Sequence, residues 1–510
     1  MTGQELLGLI MLLVMIGVIF IGFPISFTLL FLGLTFGYFS FGETVFELAY
    51  FQTIGMMKTE LLAAVPLFIF MGFITEQAGL MERLFTAFRI LLAPVRGALF
   101  AVVILTAAVF AMATGIVGAA VTVLGIMASP IMIKTGYDAK LSAGAITAGG
   151  TLGILIPPSV MLIVMGPVLG VPVTDLYAAA FGPGFLLAGL YLTYLLGRSF
   201  LNPRLGPPVP KEERVHSVGK ILFEVAVGVV PLFALIAATL GSILAGIATP
   251  TEAAAVGALG ATVLAIAYQR LTYAGMKQAV LSTTATASMV LLLAVTSNIF
   301  GSVFARLGTA NWITTAMLSL PLPPTVMLIM VIVLIFILGW PFEWPAIVLV
   351  FLPIFYPVVT ALKFDMVWFG ALVAVTLQTA FLSPPVAMSA YYLKQVVKEW
   401  SLGTIYKGMF EFMILQCVAI GIIVAFPQVA TYLPDRLREA ANAVRVEAPD
   451  ESETGAGSYT TQDSYEDELR HALRDERTAG QAENKGEEEK EQGDDLEKGD
   501  MKPEVEKKPQ

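Results

Sequence analysis

The feature that most constrains this chain is a series of apolar stretches, each about 20 residues long and almost free of charge. A helix of about 20 residues spans a bilayer core of about 30 Å, and lipid offers no partner for unpaired backbone groups. Such stretches lie at 5–23, 24–41, 57–79, 138–169 and 175–197 in the first half of the chain. The second half has them at 221–246, 250–269, 278–304, 366–393 and 403–426. The sequence therefore predicts an all-α polytopic membrane protein. The apolar run from Leu6 to Phe23 is too long for a signal-peptide core, follows no basic segment and leads into further apolar sequence, so a membrane span is expected there.

Two more apolar stretches, 98–133 and 323–359, are about 35 residues long with a broken centre. Ala111 to Gly118 interrupts the first and Gly339 to Pro345 the second. Each reads as a re-entrant hairpin or as two spans, and the broken centres favour the hairpin. Taken as hairpins, they leave five crossings on each side of residues 198–220. With the N-terminus outside, Arg83, Arg89, Arg96, Lys134, Lys140, Arg198, Arg270, Lys277, Lys394 and Lys398 fall on the cytoplasmic side. Lys58, Arg306 and Lys363 fall outside, which follows the positive-inside bias.

Charge separates the chain into two parts. Residues 1–434 hold 18 Lys/Arg and 16 Asp/Glu, whereas 435–510 hold 12 and 23. The formal charge of −9 thus belongs to the tail. That tail lacks apolar periodicity and is expected to be disordered and periplasmic, with a short helix possible at Tyr465–Arg477. One cysteine, Cys417, excludes a disulfide framework, and two histidines, His216 and His471, exclude a histidine-rich metal centre. Nothing resembles a nucleic-acid-binding patch. An intramembrane enzyme would need a nucleophile and base at depth, and Glu343 stands there alone, so no enzymatic activity is expected.

The halves repeat. Pro130 and Pro357, Asp138 and Asp365, and Pro157-Pro158 and Pro384-Pro385 are all 227 positions apart, and Pro24 and Pro250 are 226 apart. Repeats with an odd number of crossings are inverted, as in many secondary transporters. The expected organisation is a first inverted repeat at 1–197, a cytoplasmic linker at 198–220, a second repeat at 221–434 and the tail at 435–510.

Four interruptions form a matched set: the two tips and two mid-span breaks, Gly149 to Pro158 and Thr376 to Pro385. Proline frees carbonyl groups, and broken backbone at membrane depth survives only inside protein or beside a wet cavity. Freed carbonyls and hydroxyls suit sodium, and helix N-termini suit a carboxylate. Glu343 is either a ligand or a helix cap and interior hydrogen-bond partner. Ser297 and Asn298 either line the cavity or bond between helices. Thr249, Pro250 and Glu252 form a capping-box pattern, which explains them structurally.

GGTLGILIPPS (149–159), GIATPTEAAAVGALGA (246–261), TGYD (135–138) and the G-x-x-x-E-x-P tip (339–345) resemble the large membrane subunit of the tripartite ATP-independent periplasmic (TRAP) transporters. The likeness covers essentially 1–434. It implies an inverted-repeat elevator-type transporter importing an organic acid with sodium as coupling ion, and no other cofactor. It also implies a small four-span membrane subunit, a periplasmic substrate-binding protein and a bacterial inner-membrane location. By motif, one sodium site would draw on Thr114, Gly115, Gly118, Gly149, Gly150 and Gly153. A second would draw on Gly339, Glu343, Thr376, Thr379 and Ser383. Cargo would lie near Pro157, Pro158, Pro384 and Pro385, with Ser297 and Asn298 adjacent. C4-dicarboxylates and 2-oxo or hydroxy acids both fit. A stand-alone sodium/carboxylate symporter of similar fold is the alternative. The chain departs from the family pattern in a hydroxyl-poor first tip, in Thr376-Leu-Gln-Thr where glycines are common, and in its long charged tail.

Overall fold

A computed structural model describes residues 2–208, 217–384 and 387–447, with only the backbone described for Thr114, Val218, Lys220 and 441–447. Pro385, part of the 198–220 linker, His216, His471 and the segment Tyr465–Arg477 lie outside the described residues. Every regular element among the described residues is a helix. In order these are α1 (Gly3–Ile21), α2 (Ile25–Phe41), α3 (Thr44–Met57), α4 (Ala64–Gln77), α5 (Leu80–Leu92), α6 (Ala98–Thr114) and α7 (Val117–Lys134). Then come α8 (Ala139–Thr151), α9 (Val160–Leu169), α10 (Val173–Leu201), α11 (Val218–Ile236), the one-turn α12 (Ser242–Leu244), α13 (Pro250–Ala267) and α14 (Tyr273–Arg306). The chain continues through α15 (Thr309–Leu318), α16 (Pro324–Leu338), α17 (Trp344–Ala346), α18 (Leu352–Ala361), α19 (Met366–Gln378), α20 (Met388–Val396), α21 (Leu402–Ala425) and α22 (Gln428–Glu447). Nine helical segments among the described residues are long and apolar enough to cross a membrane.

The offset seen in the sequence recurs in the element bounds. Helix α7 ends at Lys134, and the segment α17 to α18 runs from Trp344 to Ala361, each bound 227 positions beyond its counterpart. Helices α8 and α19 share that offset at both ends, as do the 3-10 turns that follow them, Leu152–Ile154 and Thr379–Phe381. The aspartates at the same offset do the same work. Asp138 accepts from the Leu141 N–H at 2.8 Å, and Asp365 accepts from the Trp368 N–H at 2.7 Å. Each caps the entry to a broken helix by satisfying an otherwise orphaned donor. Thr249 and Glu252 close the expected capping box, with the Glu252 carboxylate accepting from the Thr249 N–H at 2.8 Å.

Between α17 and α18 the helix widens to a π turn at Ile347–Phe351, just before Pro353. Proline at 353 has no N–H to return to the preceding turn, so the hydrogen-bond register shifts around it.

Residues 1–439 form one compact unit. Within it, α2 and α4 pack on α14, and α4 packs on α13. The hairpins and broken helices pack mainly on one another and on α10 and α21. One very tight crossing joins α8 to α21. A Cβ on Gly408 would run into the Lys140 carbonyl oxygen, and one on Gly144 would meet the Phe412 ring at 2.6 Å. Beside this crossing Lys140 pairs with Glu411 at 2.7 Å, and Tyr194 donates to the same carboxylate at 2.6 Å. The α7–α8 corner is pinned by Tyr137, whose hydroxyl accepts from the Leu99 N–H at 3.2 Å. Burial pushes that phenol up to about 12, so it stays neutral.

One expectation is corrected, and three helices lie where the sequence marks no span: α3, α5 and α15 fall almost wholly between the apolar stretches. They are too short or too charged to register as spans; α5 presents Leu80, Met81, Leu84 and Phe85 on one buried side and Glu82 and Arg89 outward. Residues 435–447, assigned to the disordered tail, belong to α22. Arg438 on that helix bonds the Asp175 carboxylate at 2.6 Å. The unit that begins at Ala440 is described only as far as Glu447, where it is helical.

Replacing Gly408 by valine forces a backbone collision rather than a side-chain adjustment. It is expected to cost about 3 kcal/mol or more. Thermal unfolding of the detergent-purified chain should show a clearly lowered midpoint, with Gly408→Ala less severe.

Candidate transport site

Each hairpin tip packs on the break of its own half. At the first tip the chain leaves α6 through Gly115, whose φ of +61° favours glycine. A Cβ there would sit 3.5 Å from the Pro158 carbonyl oxygen and 3.7 Å from that of Gly153. At the second tip a Cβ on Gly339 would meet Ala380 at 3.1 Å. The segments beyond the breaks cross over. Tyr392 of α20 lies 3.1 Å from where a Gly118 Cβ would be, and Leu393 packs against Gly125 of α7 in the first half. In mirror fashion α9 packs on the π turn and α18 of the second half.

This interlocking brings both tips and both breaks around one cavity of about 150 Å³. Gly115 and Gly118 come from the first tip, Glu343 and Pro345 from the second. Thr286 and Val290 of α14 close one side. Four helices begin at its wall, at Val117, Val160, Trp344 and Met388. None of these four N-termini has a side-chain cap among the described residues. Their N–H groups and dipoles therefore present partial positive charge to the cavity, with the Glu343 carboxylate as the one acid in its described wall. Glu343 stands at the N-cap position of α17, yet its side chain makes no capping bond. Among the described residues, no lysine or arginine lines the cavity.

The family model for the tripartite ATP-independent periplasmic transporter, DctM component, matches residues 12–429. The chain belongs to this TRAP transporter family. It is a multi-pass membrane subunit of a transporter and not an enzyme. The sialic acid TRAP transporter large permease protein SiaM of Vibrio cholerae is 29% identical, covering 82% of this chain and 96% of its own. The C4-dicarboxylate TRAP transporter large permease protein DctM of Rhodobacter capsulatus is 28% identical, covering 82% of this chain and 95% of its own. The crystal structure of the Alcanivorax borkumensis YdaH transporter, described as having an unusual topology, shares the fold with a TM-score of 0.57. Its sequence identity is 15%, over 83% of this chain and 98% of that one.

In this TRAP subunit the residues singled out by sequence are placed in different ways. Gly115, Gly118 and Glu343 line the cavity itself. Gly149, Gly150 and Gly153 pack behind the first tip: Gly150 meets Val121 and Gly153 meets Ile116. Thr376 and Thr379 are buried, but their hydroxyls donate to the carbonyls of Leu372 at 2.9 Å and Thr376 at 2.6 Å. The Ser383 hydroxyl is buried without a partner among the described residues. Pro157 and Pro158 are buried and Pro384 is exposed. The side chain of Thr114 lies outside the described residues.

Ser297 and Asn298 do not join the tips. They line a separate cavity of about 320 Å³ further along α14, and the Asn298 amide donates to Gln52 at 2.9 Å. Sequence reasoning does not single out Gln378. It is fully buried at the end of α19, and neither amide atom has a partner among the described residues. A lone amide within an apolar run is the available signal.

Glu343→Gln keeps the shape and removes the charge. Uptake should fall at least about tenfold while the chain elutes and unfolds as the parent does, which transport assays and size-exclusion profiles of the same preparation would check.

Proposed function

We propose that this chain is the permease subunit of a sodium-coupled importer of a small organic acid. The observation that carries this reading is the convergence of four uncapped helix N-termini and Glu343 on one cavity. Each helix end favours an anion by about 0.3–1 kcal/mol, and more where water is excluded. The relatives named for sialic acid and C4-dicarboxylate transport both carry carboxylates. Glu343 would repel such a cargo unless a cation stood between them. With no lysine or arginine in the described wall, a small hard cation fills that role. Sodium fits the oxygen donors within reach of the breaks: the Glu343 carboxylate, freed carbonyls and the Ser383 hydroxyl, which has no partner among the described residues. Each ligand then raises the affinity for the other, which couples their movement.

The repeats at 1–197 and 221–434 are taken as inverted in the membrane, with the N-terminus and tail periplasmic and the protein in the bacterial inner membrane. The hairpins and broken helices would move as an elevator against α2, α4, α13 and α14. A small four-span subunit and a periplasmic substrate-binding protein complete the transporter.

The full chain reconstituted in liposomes with both partners should accumulate cargo when sodium is higher outside. Uptake that persists unchanged when potassium replaces sodium would remove the coupling claim.

A further inference from the structure

One face of α14 runs past both cavities, and its pattern repeats. Thr286 and Ser297 are 11 positions apart on this helix, as are Val290 and Gly301. That interval is about three turns, so each pair shares a face to within about 20° and is separated by about 16 Å along the axis. Thr286 and Val290 wall the cavity between the tips, whereas Ser297 and Gly301 wall the cavity further along.

The hairpins and broken helices, the part proposed to move, lie alongside this face. Helix α9 starts at the first cavity with Val160 and reaches the second with Val168. The segment from α17 through the π turn does the same, with Pro345 at the first and Leu349 and Pro353 at the second. Elsewhere on its surface α14 is tied to its own neighbours. The Asn298 amide bonds Gln52 of α3 at 2.9 Å, and the Phe300 Cα lies 3.4 Å from where a Gly33 Cβ of α2 would be.

Packing alone does not account for Ser297. It is 1% exposed, and its hydroxyl has no partner among the described residues. The wall opposite offers it Val168, Leu349, Val350 and Ile354. An unpaired buried hydroxyl is unfavourable, and alanine would fill the same space without one.

We infer that Ser297 and Gly301 form the α14 wall of the Glu343 cavity in a second state, in the places that Thr286 and Val290 occupy here; this rests on the transport reading above. The hairpins and broken helices shift by about 16 Å toward the C-terminal end of α14. One hydroxyl on the stationary helix then replaces the other at the cavity wall. A Cβ on Gly301 would meet nothing within 4 Å, so the wall is roomier there than beside Val290. On the orientation proposed above, this second state faces the periplasm.

The test is cysteine bridging in the full-length chain in membranes, with Cys417→Ser as the parent. Trp344→Cys marks the moving part, because α17 packs on α14. A short bismaleimide reacts irreversibly and so collects minor states over time. It should join Trp344→Cys to Thr286→Cys and, more slowly, to Ser297→Cys and Gly301→Cys. Leu292→Cys, 42% exposed on the opposite side of α14, should not be joined. Ser297→Ala should leave the thermal unfolding midpoint of the detergent-purified chain unchanged, since the hydroxyl bonds nothing here. A lowered midpoint would make that hydroxyl structural and overturn the assignment. Bridging at Leu292→Cys as fast as at Ser297→Cys would overturn it too. Bridging at Ala294→Cys but never at Ser297→Cys or Gly301→Cys would overturn this inference and leave a moving part in place. Bridging at Thr286→Cys alone would overturn the elevator reading with it.

Discussion

Everything in this molecule depends on one interaction: the seating of each hairpin tip on the broken middle of a neighbouring helix. A helix interrupted at membrane depth leaves carbonyl and N–H groups that lipid cannot satisfy. Here the exposed backbone of one element is covered by the exposed backbone of another. Gly115 reaches the carbonyls of Gly153 and Pro158, and Gly339 reaches Ala380. Small residues are required because two backbones approach within van der Waals contact. The crossover of α9 and α20 onto the opposite half's hairpin then ties the two seats together. Neither half can form its seat and leave the other undefined.

Once the breaks are enclosed, their polarity becomes an asset. Several partly exposed ionised side chains among the described residues are committed to partners. Lys140, Glu411 and Tyr194 brace one end of the α8–α21 crossing, while Arg438 and Asp175 fix α22. Glu343 is different because its side chain has no capping bond. The positive character of the cavity comes instead from peptide dipoles, which cannot be lost by deprotonation and are fixed by the fold. A binding site made this way has its geometry set by helix position. Its affinity should respond to small movements of whole elements more than to rotamer changes.

The parts of the fold that obey strong physical rules are legible in sequence. Long apolar runs, the constant spacing of Pro130, Asp138 and Pro157 from their partners, and the two broken centres locate the hairpins and breaks within a few residues. Short helices are not legible. Helices α3, α5 and α15 have neither the length of a span nor the polarity of a loop, and tertiary packing decides them. Segment 435–447 resembles tail because it is as densely charged as residues 448–510, but α22 is amphipathic and its start is buried at Ala430. Within the site, residue type gives the neighbourhood and not the state of each group. Thr376 and Thr379 carry hydroxyls of the right kind, yet a helical threonine readily returns its hydroxyl to the preceding turn, and both do. Ser297 and Asn298 are polar and interior, but they lie about two helical turns of α14 beyond Val290 and face the other cavity, a placement that sequence does not report.

The repeat is not perfect, and its one large fault lies in an informative place. In the first half the chain breaks between α3 and α4, at 58–63, whereas α14 in the second half runs unbroken for 34 residues. The offset of 227 carries 58–63 onto 285–290, and Thr286, Met289 and Val290 of that stretch form part of the cavity wall. A vestibule assembled from twofold-related pieces is thus bounded on one flank by a straight rod whose counterpart is jointed. To take the jointed form of its counterpart, α14 would have to bend beside this cavity. The pseudo-symmetry of the chain therefore stops at this flank of the cavity.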